Sequence, residues 1–493
     1  MKHAVTPLLA ALLVSGCMVG PNYSRPDLPA PPAYVEAAST AQTAIAANEA
    51  DLQGWWRVFG DPVLDQLIAQ GLSGSPDLDA AASRVRQARQ QERIAQAALL
   101  PQLNGSADAV TFNSDRSSPG SGSKSGSSAA GGSSGAGGSG GSSQETIPNH
   151  LNLYSVGFDA TWEVDLFGGA RRQVEAAHDN AEAAVWSRRD GEVSLTAEIA
   201  NDYWGLRAIQ ARIALDQEQI QRRNELLGLV RLRRQHGFVT ELDVNQQVSQ
   251  ISSAEAQLAQ LQAQARMQMH ALAVLVGQPP EALIAQLDTA GASLPAPPAS
   301  LWVGAPADLL ARRPDVRSAE RQLASANAGV GVQEANLYPK LNLLGLASFA
   351  GTSLSDLFSS QNLSSVGVGM VTAPIFTGGR TRAAIAAAKE QRAQALDSYR
   401  SAFLGALRDV EDALSQYRGE DARHAALAQA VTTAASSYQI AQDQYRTGMV
   451  DFTSVLQVQD TLITAQDQLT QSDGQRLSDL VALYKALGGG WSG

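Results

Sequence analysis

The chain has one cysteine, Cys17, in 493 residues, so no internal disulfide can hold it together. Aromatics make up only 5%, too few for one thick globular core, while Ala and Gln fill long stretches. Positive charge is in deficit: the formal net charge is -11, which argues against a nucleic-acid partner. The six histidines are scattered without ligand spacing, which points to no metal and no cofactor. Gly329-Val330-Gly331 falls inside helical sequence and is no dinucleotide loop, and Asp77 and Asp79 read as a helix start. No catalytic constellation remains, so an enzyme is not expected. After the first residues, no apolar run is long enough to cross a bilayer as a helix. Proline is missing over 149–278 and over 375–493, which permits long uninterrupted helices.

Cys17 is informative by position. Met1-Lys2-His3 is a short basic start, and residues 5–14 form an apolar run too short to span a bilayer. Val14-Ser15-Gly16-Cys17 then resembles a bacterial lipobox. That likeness implies a signal peptide over 1–16 and a lipidated Cys17 as first mature residue. Met18 follows it, which by the same likeness permits sorting to the outer membrane. Acyl chains at about 0.8 kcal/mol per buried methylene give a firm anchor. Residues 17–53 carry Pro21, Pro26, Pro29, Pro31 and Pro32 and read as an extended tether.

What is present is an internal repeat. Leu100-Pro101-Gln102-Leu103-Asn104 opens a hairpin that Asp165-Leu166-Phe167-Gly168-Gly169-Ala170-Arg171 closes. The same frame recurs over 337–380, from Leu337-Tyr338-Pro339 to Thr377-Gly378-Gly379-Arg380. Pro101 and Pro339 are offset by 238 residues, but Phe167 and Phe376 by 209. The first copy therefore carries extra residues, and the Gly/Ser tract over 113–143 supplies them. It reads as an insertion at a hairpin tip, where added loop costs little. The two copies span 54–278 and 314–493, joined by an equatorial connector over 279–313.

Strands are expected at about 101–112, 152–164, 340–350 and 364–375. Tyr154, Val156, Phe158, Ala160 and Trp162 alternate with small or polar residues, at the length a tilted membrane strand requires. Val366, Val368 and Met370 alternate with Gly367 and Gly369. Helices are expected over 76–99, 169–236, 240–277, 314–337, 380–447 and 451–487. Val244, Ile251, Leu258, Ala265 and Leu272 fall seven apart, as in helices packed lengthwise. Gly237 and Gly448 sit where helix ends favour a left-handed residue.

Four membrane strands cannot close a barrel, since the smallest closed ones have about eight. Two chains would give a filled barrel of eight strands, three an open one of twelve. The fold class expected is an α+β membrane protein with a strand barrel continuous with a long α-helical barrel.

The chain resembles a TolC-like outer membrane factor, in the lipoprotein branch found with resistance-nodulation-division (RND) efflux pumps. The matching residues span almost the whole mature chain. They include Trp55-Trp56, Asp61-Pro62, Arg312-Arg313-Pro314-Asp315, Ala319-Glu320 and Tyr338-Pro339. They continue with Trp162-Glu163-Val164-Asp165-Leu166-Phe167-Gly168, Pro374-Ile375-Phe376, Gly378-Gly379-Arg380, Tyr445-Arg446 with Gly448, and Gly488-Gly489-Gly490-Trp491. The resemblance implies a homotrimer with twelve strands, and a mixed equatorial collar drawing on about 278–310 and 419–437. It implies a passive exit duct for drugs or other small molecules, with a periplasmic adaptor and an inner membrane RND-type transporter as partners.

It also implies a gate at the periplasmic helix tips. Asp243 and Tyr445 match bridging positions there, with Arg446 a further partner. Relatives often carry Asp where this chain has Gln457, and Arg where it has Asp460, so Asp451 and Asp460 are substitute acids. Gly237, Phe238, Thr240, Gly448 and Met449 form the turns that would seat the adaptor. Pro101, Gly168, Gly169, Pro339, Gly378 and Gly379 read as joints between strand barrel and helical tunnel. The alternatives are an exit duct for protein secretion or heavy-metal efflux, and a periplasmic coiled-coil lipoprotein without a pore.

Overall fold

The computed structural model describes residues 18–38, 50–113, 150–288, 294–298, 306–308 and 312–491. Cys17, nearly all of the Gly/Ser tract and much of the connector lie outside the described residues. The chain forms two compact units, one from Ile94–Arg172 and Gly331–Ala383 with the residues up to Gly20, the other from the remainder.

The first unit holds a four-stranded antiparallel sheet in the order β1-β2-β3-β4. Its strands are β1 (Gln102–Asn113), β2 (His150–Val164), β3 (Lys340–Gly351) and β4 (Leu363–Thr372). Pro101 and Pro339 immediately precede β1 and β3, where a missing N–H costs no ladder bond. Directly paired residues share a face of the sheet. Trp162, Leu343 and Gly369 line up on one face, as do Phe158 with Ala347 and Val156 with Phe349. This face is apolar, with aromatic side chains toward both ends. On the other face Asn104 pairs with Asp159, Asp159 with Leu346, and Leu346 with Val366. There Asn104 Nδ2 donates to Asp159 at 2.9 Å, and Lys340 pairs with Glu163 at 3.0 Å.

The joints of this unit are built on glycine. Gly168 has φ 79°, and a Cβ there would lie 2.6 Å from Met18. A Cβ at Gly169 would meet that of Ala335 at 3.0 Å. Val19 N donates to Phe167 O at 3.1 Å. The buried Arg172 donates to the carbonyls of Val19 and Gly20 at 3.0 and 3.1 Å. Residues 18–20 are thus pinned beside the exit of β2. The Phe167 ring stacks on Tyr338 at 4.7 Å. In the second copy Gly378 and Gly379 have φ 59° and 87°, but Ile375 and Phe376 are 98% and 90% exposed.

The second unit is built mainly on helices α1 (Pro62–Gly74), α2 (Pro76–Ala97), α3 (Gly169–Gln235) and α4 (Glu241–Leu275), followed by α5 (Pro314–Ala335), α6 (Arg380–Thr447) and α7 (Phe452–Ala486). The 67 residues of α3 and 68 of α6 contain no proline, so nothing interrupts their hydrogen-bond ladders. Residues 419–437, assigned above to a mixed collar, are an unbroken part of α6. The described part of the connector contributes only the short turns Ile284–Leu287 and Pro306–Asp308.

Aromatic residues, scarce overall, concentrate in one core. Trp55 stacks on Tyr484 at 5.1 Å, and Phe59 tilts against Trp204 at 5.1 Å. Asp61 caps α1 by accepting from Val63 N at 2.8 Å, and its other oxygen accepts from Tyr203 Oη at 2.6 Å. Arg313 donates to Asp315, Asp409 and the Ala486 carbonyl, joining three helices. The C-terminal glycines permit close approach: a Cβ at Gly489 would lie 2.9 Å from Leu52 O and 3.0 Å from Trp55. Trp491 meets Trp186 edge-on at 5.4 Å, with the Arg189 guanidinium 4.4 and 4.7 Å from their centroids.

Candidate functional site

Both helix-to-helix turns repeat one motif. At the end of α3, Gly237 N donates to Arg234 O and Phe238 N to Arg233 O, both at 2.9 Å. At the end of α6, Gly448 N donates to Tyr445 O at 3.0 Å and Met449 N to Gln444 O at 2.8 Å. Gly237 and Gly448 have φ 74° and 79°, the left-handed conformation this termination requires. Each turn leaves one large apolar side chain in solvent, Phe238 at 72% exposure and Met449 at 69%.

The return helices start on caps. The Asp243 carboxylate accepts from Thr240 N at 2.8 Å and Thr240 Oγ1 at 2.9 Å. Asp451 accepts from Ser454 Oγ and Ser454 N at 2.6 and 2.8 Å. The Ser454 hydroxyl bond, then the backbone one, holds its carboxyl below the ordinary value. Asp451 is therefore occupied as an N-cap. Asp243 is likewise bonded to its own turn. The Asp243–Tyr445 bridge implied by resemblance is not formed within the chain, because Asp243 lies in the first turn of α4 and bonds the backbone orphaned there.

Tyr445 is instead buried in a small apolar core beneath the turns, with Val230, Val244, Phe452 and Val455. Burial pushes its phenol up from the ordinary value, and the adjacent Arg233 guanidinium pulls it partly back. Arg233 of α3 lies over the ring at 4.3 Å and donates to the Tyr445 carbonyl at 2.7 Å. Arg446 is exposed and pairs with Asp443, one turn back, at 3.2 Å. Asp460 pairs at 3.6 Å with Arg223 of α3, a buried cation that also donates to Gln250 O at 2.6 Å. Gln457 is exposed on α7. Arg223 and Arg233 were missed from sequence, where the arginines of α3 look like a solvated face. The signal was their placement among buried Leu226, Leu227 and Val230.

Among the described residues the sheet has two free edges and one face of apolar and aromatic residues, backed by a face carrying carboxylates. That pattern belongs to a wall of a transmembrane β-barrel, since carboxylates do not face lipid. Joined to helices of 67 and 68 residues in one chain, it defines the subunit of an outer membrane channel closed only by several copies.

The chain matches the family model "Outer membrane efflux protein" over residues 67–278 and 305–489, and it belongs to that family. It is 33% identical to the pyoverdine export outer membrane protein OpmQ of Pseudomonas aeruginosa, covering 98% of this chain and 96% of that protein. It is 30% identical to the probable efflux pump outer membrane protein TtgC of Pseudomonas putida, covering 99% and 96%. Among solved structures it is similar to the outer-membrane channel OprN, with a TM-score of 0.84, 32% identity, and coverage of 96% of this chain and 100% of that one. The members of this family are channels and not enzymes.

Proposed function

We propose that three copies of this chain form the exit duct of a tripartite efflux pump. Their strands would close a barrel of about twelve, the size that leaves an aqueous lumen. The observation that carries this reading is the sheet itself, whose edges β1 and β4 are both unpaired among the described residues. The internal repeat says what covers them. Within one chain, the exit of the first copy packs on the start of the second through Phe167 and Tyr338. The equivalent residues of the other pairing, Phe376 and Leu100, are both exposed and meet when β4 of one copy joins β1 of the next.

Lipidation of Cys17 is supported by its neighbours. Met18 packs against Gly168 at the end of β2, so acyl chains on Cys17 would start at the edge of the membrane span. Phe238 and Met449 offer apolar contacts to a periplasmic adaptor, and the adaptor links the duct to an inner membrane RND-type transporter. The gate lies beneath these turns, with Tyr445, Arg233 and the Arg223–Asp460 pair as its groups. Small molecules are the cargo, consistent with the export and efflux roles that OpmQ and TtgC bear in their names.

Deletion of the gene tests the reading through a susceptibility panel of dyes, antibiotics and siderophores. Deletion is expected to sensitise the cells, with resistance restored by the intact gene but not by a mislocalised Cys17→Ser variant. Unchanged susceptibility and unchanged siderophore export would overturn it.

A further inference from the structure

Two cross-strand rows of the sheet are half polar and half apolar. Gln102, Thr161, Leu344 and Val368 form one row, and Asn104, Asp159, Leu346 and Val366 the next. Below them Asn342 pairs with Met370. The β1–β2 half of this face carries Asp108 and Asp159, hydrogen-bonded across strands by Ser155 and Asn104. Those carboxylates fix the face as the watery one. The β3–β4 half nevertheless presents Leu344, Leu346, Val366, Val368 and Met370, between 37% and 57% exposed. On the opposite, lipid side β4 places Gly367 and Gly369. The strand thus turns its bulk toward water and its glycines toward lipid, the reverse of what membrane burial alone favours.

We infer that Leu344, Leu346, Val366, Val368 and Met370 form an apolar track on the lumenal wall that binds the hydrophobic side of passing solutes. The inference rests on the barrel reading above. The Gly/Ser tract is a poor occupant, since residues 114–149 hold only one large aliphatic residue, Ile147. A solute with an alkyl or aromatic side covers the track, and Asp159, in the same row as Leu346 and Val366, suits a cationic end. The ligand class is therefore an amphipathic cation. Three tracks alternate with three acidic sectors around a trimer.

The test is single-channel recording of the purified full-length protein in planar bilayers, with blockers added on the extracellular side so that they reach the barrel without passing the helix tips. Octyltrimethylammonium is expected to dwell at least about tenfold longer than tetramethylammonium, from the alkyl area removed from water. It is also expected to dwell longer than octanesulfonate. In the near-isosteric Val366→Thr/Val368→Thr variant, and more so with Leu344→Thr and Leu346→Thr added, the alkyl preference collapses toward one. Equal dwell times for the two ammonium ions in the wild type would overturn the track, and that comparison needs no variant. A preference that survives in the variants places the contact elsewhere and also overturns it. Failure to form any channel would contradict the barrel reading instead.

Discussion

Arg233 holds Tyr445 twice, with its guanidinium 4.3 Å from the ring centroid and its Nη1 donating to the Tyr445 carbonyl at 2.7 Å. The contact ties the end of α3 to the end of α6 directly beneath the turns. A cation over a partly desolvated ring and a charge-assisted hydrogen bond are together worth about 2–3 kcal/mol. Arg233→Ala is therefore expected to loosen the tips and raise single-channel conductance severalfold. Tyr445→Phe keeps the ring and the carbonyl that Arg233 holds, so near-wild-type conductance is expected. The opposite ranking would return the gate to the phenol.

The caps act on the same tips through helix starts. Thr240→Ala is expected to cost about 1 kcal/mol, and Asp451→Ala to loosen the start of α7. The loss appears as faster amide exchange confined to 241–246 and 452–457. Gly237→Ala, at φ 74°, costs a similar amount through left-handed strain. Uniform exchange across α4 and α7 in these variants would contradict local capping.

Much of this was legible in sequence, because it depends on local chemistry. The glycine ends of α3 and α6, the proline-free helices and the twice-used hairpin follow from residue type and spacing. The Asp243–Tyr445 contact is not formed within the chain, since a motif gives positions but not which competing donor is nearer. Thr240 is three residues from Asp243 and wins. Arg233 escaped notice because a helix of 67 residues with a weak apolar stripe does not declare which arginines face inward. Val366 and Val368 alternate with glycine in sequence, but only the pairing register shows that they share a face with Asp159.

A second charged cluster predicts a pH dependence. Tyr23 Oη donates to Glu320 at 2.6 Å, and Arg321 reaches both Glu320 and Asp179. Burial pushes Asp179 up to about 6, and the neighbouring Arg321 does not fully offset it. The folded state then favours the protonated acid, so this site gains stability as pH falls from about 6 toward the ordinary carboxylate value. Asp179→Asn is expected to melt higher than wild type at pH 7.5, with the gap closing on acidification through that window. A gap that widens on acidification would show that the Arg321 pairing dominates.

The C-terminal glycines predict a steric effect. Gly489→Ala places a methyl 2.9 Å from the Leu52 carbonyl and 3.0 Å from Trp55. Backbone has little room to give, so a loss of about 2–3 kcal/mol is expected. A lowered melting temperature in the detergent-extracted protein checks it, with Gly419→Ala, in open space inside α6 and expected to be neutral to slightly stabilising, as the control.

The claim on which the rest depends is that β4 of one copy pairs with β1 of the next and that three copies close the ring. Trp162 pairs with Leu343 within the chain, and the repeat counterparts of those residues are Val371 and Gly105, on the two free edges. In a cysteine-free background with its lipid anchor replaced, the Val371→Cys/Gly105→Cys variant is oxidised in the outer membrane and resolved on a denaturing gel. A ladder of one, two and three chains that stops at three is predicted, with intensity collecting in the closed trimer. No cross-link, or a ladder ending at two or running on past three, would contradict it.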